Sequence, residues 1–190
     1  MRQSNYDITL QRMPAEFLKY DQRRMIRNFA LEHDGDFLYL RFLARRYRVG
    51  REDGTVMWQD VSGAWRQAGF NDAMTIYDLL CCAKDGCHLS GQYRKAENLR
   101  GAMYGANPAA GLFDGIAARC AENPAALVRA CRALGGEALP VGEISYKIPV
   151  FDFVQVMLQF GVPDEEFPAS FKLMWDENTL DFLKFETVCY

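Results

Sequence analysis

The sequence predicts an α+β fold, one domain with an antiparallel or mixed sheet. Three observations lead there. Apolar residues recur at helical spacing in three places, at 72–84, 107–121 and 124–134. Between and after them, apolar residues alternate, as at Leu38, Leu40 and Phe42 or at Val154, Val156, Leu158 and Phe160. The order is strands, then helices, then strands again, which favours α+β over a doubly wound sheet.

Composition sets the frame. The chain has 190 residues, 49% of them hydrophobic and 25% charged, with a net charge of −3. That is a globular composition, long enough to bury a core without staples. The charge balance gives no reason to expect nucleic acid as a partner. No apolar run reaches the ~20 residues of a membrane span, and no membrane association is expected. The first residues lack the apolar stretch of a secretory signal, so a cytoplasmic location is expected. The six cysteines are then expected to be reduced thiols.

At the start of the chain, Tyr6, Leu10 and Met13 suggest a short helix. Pro14 suits the first turn of a second one, through Phe17 and Leu18. Residues 21–32 continue helical, and Asp34-Gly35 marks a turn. A strand from Asp36 carries Leu38, Leu40 and Phe42 inward. Tyr47 and Val49 look equally apolar but have the opposite parity, so the strand must break near Leu43–Arg45. Residues 50–54 turn again into a third strand, 55–58, closing a small meander. Eight arginines lie between Arg23 and Arg51, interspersed with Asp and Glu, and read as a mixed, solvated face.

The stretch 70–101 holds three cysteines and one of the two histidines. Asn71 or Asp72 is the expected cap of a helix over 72–84, with Gly86 just beyond its end. Ala73, Ile76, Tyr77, Leu80 and Ala83 form its apolar stripe. Cys81 and Cys82, with Cys87 and His88 following, invite a metal reading. Adjacent helical residues point about 100° apart, however. The two cysteines are expected to flank the stripe, with Asp78 outward between them, and no metal site is expected. Leu89-Ser90-Gly91 follows as a tight corner, then Gln92, Tyr93 and Arg94. Ser90, Gly91, Tyr93 and Arg94 form the candidate ligand site: a corner the backbone can bring close to a ligand, a phenol, and a cation for a small anion. Tyr93 and Arg94 can meet one ligand only if they lie in a loop or bulge, since adjacent strand residues face opposite ways.

Asn107-Pro108 and Asn123-Pro124 each place a cap before a first-turn proline, predicting a helical hairpin over about 107–135 stopped at Gly135-Gly136. Strands follow at 144–148, ended or kinked by Pro149, at 153–160 and at 171–175. An acidic loop, 164–166, separates the last two. It matches no calcium loop. Asp176 or Asn178 is expected to cap a terminal helix bearing Leu180, Leu183 and Val188. No phosphate loop, dinucleotide fingerprint or catalytic triad announces itself, so the sequence assigns neither a reaction nor a cofactor.

Several short stretches, taken in order, resemble a family of bacterial and archaeal proteins catalogued as domain of unknown function 3786. They are Phe42-Leu-Ala-Arg-Arg-Tyr-Arg-Val49 with its turn to Gly54, the Tyr77–Leu80 helix, Leu89-Ser-Gly91, Ala133-Leu-Gly-Gly-Glu137, and Glu165-Glu-Phe167 leading to Trp175-Asp176. The family often has an aromatic residue soon after Ser-Gly, where Tyr93 fits, and Gly where this chain has Ala44. Its members are common in anaerobes, and some relatives are fused to iron–sulfur modules. The cysteine run of such a module is missing here. The resemblance implies no activity. The expected function is a small-ligand-binding or accessory domain of an anaerobic prokaryote. The alternative is a protein-interaction module, a homodimer among its forms, with Trp58, Trp65 or the meander edge supplying the interface; an enzyme is the remaining reading.

Thiol titration of the denatured chain, prepared without reductant, should find all six cysteines free. A lower count would show that disulfides form.

Overall fold

The structure, a computed structural model, describes residues 5–102 and 113–188. It is α+β, with seven α-helices and ten strands among the described residues. The chain divides into two compact units. Residues 1–88 with 181–188 make unit one, and 89–180 make unit two.

Unit one begins with helix α1 (Asn5–Phe17), which runs straight through Pro14. The expected break there does not occur. Leu18 N–H bonds back to Pro14 O at 3.3 Å, so the turn after the proline closes normally. Asp21 caps α2 (Gln22–Phe29), its Oδ1 accepting from Arg23 and Arg24 N–H. This helix is shorter than the sequence suggested. Ala30 is left-handed, φ 48°, and β1 (Glu32–His33) follows at once.

The meander is β2 (Phe37–Phe42), β3 (Arg45–Gly50), β4 (Val56–Gln59) and β5 (Trp65–Gln67), each antiparallel to the next; β1 pairs with β2. Parity explains the first hairpin. Leu38 lies opposite Val49 and Leu40 opposite Tyr47, all buried. The reversal falls on Leu43 and Ala44, whose φ angles are 47° and 62°. Positive φ at both central residues is what a tight two-residue hairpin requires. The sequence did not foretell β5. Asp60 sets it up by accepting from Ser62 and Ala64 N–H and pairing with Arg66, 2.9 Å away. The Ser62 hydroxyl, then Arg66, hold the Asp60 carboxyl well below the usual carboxylate range.

Helix α3 (Phe70–Cys82) closes the unit, with the Phe17 ring 6.0 Å from that of Tyr77. Neither expected cap acts as one. Gly69 holds the cap position without a side-chain bond. Asp72 instead accepts from the buried Tyr47 hydroxyl at 2.7 Å. At the other end, Arg24 donates to Ala83 O and pairs with Asp85.

In unit two, β6 (Tyr93–Arg94) is followed by a single 3-10 turn (Ala96–Asn98), then α4 (Asp114–Glu122) and α5 (Pro124–Ala133). The hairpin of α4 and α5 is the predicted one. Asn123 Oδ1 accepts from Ala126 N–H at 3.0 Å, with Pro124 in the first turn. The Asn107-Pro108 cap and Leu112 lie outside the described residues. Strands β7 (Glu137–Ala138), β8 (Ile144–Phe151), β9 (Val154–Gly161) and β10 (Ser170–Asp176) complete the unit. β9 lies between β8 and β10, β7 pairs with β8 and β6 with β10, all antiparallel. Pro149 does not end β8. A register shift between Pro149 and Phe151 absorbs it. On β9, Val154, Val156, Leu158 and Phe160 are buried, as the alternation predicted.

The C-terminal helix is two short ones, α6 (Thr179–Phe182) and α7 (Phe185–Val188). No helix of the described residues is long and apolar enough to cross a membrane. The five described cysteines are all free; Cys189 lies outside the described residues.

Ala44→Gly should stabilise the protein by about 0.5–1 kcal/mol, because glycine has no side-chain penalty at φ 62°. A denaturant midpoint that falls would contradict this.

Candidate functional site

Among the described residues each unit buries one aspartate, and unit one also holds a cavity. Asp176 ends β10 and is fully buried. Its Oδ1 accepts from Ser90 N–H and Asn178 N–H, both at 2.9 Å, and its Oδ2 from Gly91 N–H at 2.7 Å. The Ser90-Gly91 corner does bring its backbone close to an anion, and that anion is the chain's own carboxylate. Gly91, at φ 75°, makes the turn possible. Gln92 O then accepts from Glu177 N–H at 2.8 Å.

Tyr93 and Arg94 follow as strand, pairing with Asp176 and Trp175. Adjacent strand residues point to opposite faces. Tyr93 is half-buried and donates to Gln155 Oε1 at 3.3 Å; Arg94 is exposed and reaches Gln92 Oε1 at 3.3 Å. Burial raises the Tyr93 phenol above its ordinary value. The condition for a shared pocket, a loop or bulge at these two residues, is not met.

Asp78, expected to point outward, is buried instead. Its Oδ2 accepts from Lys184 N–H at 2.7 Å, and Oδ1 lies 3.5 Å from Lys184 Nζ. This bond interrupts the C-terminal helix at Lys184, whose O then accepts from Val188 N–H. Lys184 also hydrogen-bonds Cys82, and that bond raises its pKa first of all. Burial pushes the Cys81 thiol up to about 12 and raises Cys82 and Cys87 as well. Thiols so raised are poor nucleophiles at neutral pH. Among the described residues, no group of three or more His, Cys, Asp or Glu is placed to hold a metal ion.

The cavity lies in unit one and measures about 320 Å³. Leu10, Gln11 and Pro14 of α1 form one wall; Thr55, Val56, Gln67 and Ala68 come from β4, β5 and their flanks; Ala73 and Tyr77 come from α3. The lining carries no charged side chain. Its polar groups are two amides, a threonine hydroxyl and the Tyr77 phenol. Tyr77 donates to Gly54 O at 2.7 Å, which fixes the ring, and burial holds the phenol protonated far above its ordinary range. Gly54 must be glycine here, because φ is 72° and an added Cβ would come within 2.5 Å of Pro14 O. Sequence reasoning missed this cavity. Its residues come from four separated stretches, and none is an unusual residue type.

A family model described as Domain of unknown function (DUF3786) matches residues 21–190. The chain belongs to that family. Ser90, Gly91, Asp176 and most of the cavity lining fall inside the matched span, while Leu10, Gln11 and Pro14 precede it. No curated protein and no solved structure matches the chain.

Asp176→Asn should destabilise the protein by about 2–3 kcal/mol. One acceptor oxygen is lost, and an amide NH₂ is set against buried N–H donors. Urea unfolding measures the change; an unaltered midpoint would show that the three bonds contribute nothing.

Proposed function

We propose that the protein is a small-ligand-binding domain and that the cavity of unit one holds the ligand. The carrying observation is the cavity's size and lining. About 320 Å³ falls at the lower end of the range for small-molecule sites, and the half-open lining sets four polar side chains among apolar ones. A ligand without net charge suits a lining without ionised groups, which offers an ion no opposite charge. This moves the proposed site away from Ser90, Gly91, Tyr93 and Arg94, whose polar groups already serve the chain itself. A cytoplasmic accessory role in a prokaryote is part of the proposal, and the free cysteines are in keeping with a reducing compartment.

The alternative of a homodimeric interaction module draws on a different place, Trp58, Trp65 or the edge of the meander. Neither Trp58 nor Trp65 offers a bare ring. Arg45 lies over Trp58 at 5.0 Å and Arg48 over Trp65 at 4.4 Å.

Native mass spectrometry of protein purified from its own host should show a bound small molecule. Ala73→Phe, which fills the cavity, should abolish it, and Gln67→Leu should weaken it about tenfold, the scale of one hydrogen bond. The same bound mass on the folded Ala73→Phe variant would place the ligand elsewhere.

A further inference from the structure

The outward face of β2–β5 is built of arginines and aromatic rings. Phe37, Tyr39, Arg48 and Trp65 share it by register, since Tyr39 lies opposite Arg48, Arg48 opposite Met57, and Gln59 opposite Trp65. The Arg48 guanidinium is sandwiched, 4.0 Å from the Phe37 ring and 4.4 Å from that of Trp65. Arg46 lies 4.9 Å over Tyr39 and pairs with Glu32 at 2.8 Å. Arg48 is different. Its Nε is buried with no hydrogen-bond partner among the described residues, and its Nη2 donates to a weak acceptor, Met57 Sδ, at 3.4 Å. A half-buried cation held in one orientation by two rings, with no carboxylate against it, is an incomplete ion pair. The ring faces that look onto Arg48 are already filled, which leaves a nucleobase nothing there to stack on. With Nε buried, a partner's carboxylate can approach only the terminal nitrogens of this half-exposed side chain.

The chain carries a complementary element. The loop between β9 and β10 presents Asp164, Glu165, Glu166 and Phe167, all exposed. Asp164 Oδ1 accepts from Glu166 and Phe167 N–H at 2.9 and 2.7 Å, so the tip is shaped by its own bonds while the carboxylates of Glu165 and Glu166 point free of that network. Phe167 is 66% exposed, more than any other described aromatic ring that stands out as exposed. An acidic, rigidly turned loop ending in an uncovered ring matches an arginine held between rings in both charge and apolar character.

We propose that the 164–167 loop of a second copy of this chain docks on the Arg48 face, with a glutamate carboxylate completing the ion pair and Phe167 packing beside Trp65. The association is then electrostatically steered and weakens with salt.

Sedimentation velocity on the full chain, over a concentration series at low and high salt, tests this. The wild type should self-associate. Arg48→Glu should weaken association at least about tenfold, and the paired loop change Glu165→Arg with Glu166→Arg should do the same. Combining the two sets should restore it, which a merely structural role for Arg48 would not produce. Circular dichroism checks the fold of Arg48→Glu, and the loop variant, altered only at exposed positions, tests the contact independently. A wild type still monomeric at about 0.1 mM, the scale of weak association, would overturn the proposal. So would association indifferent to the loop variant.

Discussion

Each unit is closed by a buried aspartate that accepts backbone N–H groups from a distant part of the chain. In unit two Asp176 gathers Ser90, Gly91 and Asn178; in unit one Asp78 receives Lys184. A buried carboxylate is costly unless its oxygens are satisfied; amides satisfy both oxygens of Asp176 and Oδ2 of Asp78, while Asp78 Oδ1 has only the Lys184 ammonium, 3.5 Å away. Because the hydrogen-bond donors are backbone amides, each of these bonds fixes the path of the backbone. That is how the corner at Ser90 is set, and why the last helix breaks at Lys184. The elements around them are stabilised mainly by burial, but their relative register within a unit rests on these two acids.

Much of the fold was legible. The parity conflict between Phe42 and Tyr47 located the hairpin, and Leu43 and Ala44 adopt positive φ where the strand had to reverse. The Asn123-Pro124 cap and the β9 alternation read correctly for the same reason: local pattern and tertiary burial agree there. Other readings failed where a long-range bond overrode local preference. Asp72 is an able helix cap, yet Tyr47 takes its carboxylate. Asp78 sits where helical spacing alone points to solvent, yet Lys184 reaches it from 106 residues away. β5 is three residues long, too short for alternation to register.

The candidate site was legible in part. The Ser90-Gly91 corner was read as a place where the backbone can approach a ligand closely, and what its amides meet is Asp176. Nothing local could have named it, because Trp175-Asp176 reads simply as the end of a strand. The arginines between Arg23 and Arg51 make two kinds of contact, and Arg46 makes both. Arg24, Arg27 and Arg46 form ion pairs, as a mixed surface would. Arg45, Arg46 and Arg48 lie over rings, an arrangement set by cross-strand register and invisible to a count of charges.

The make-up of unit one has a consequence for biosynthesis. Its sheet and α1–α3 are contained in the first 88 residues, but Lys184 and α7 arrive only after all of unit two has been translated. Until then Asp78 has no amide to accept from, and the α3 face that α7 covers stays open. The nascent chain must therefore hold unit one unfinished while 92 intervening residues, 89–180, are added and fold. Vectorial synthesis thus supplies all of unit two before α7, the piece that completes unit one.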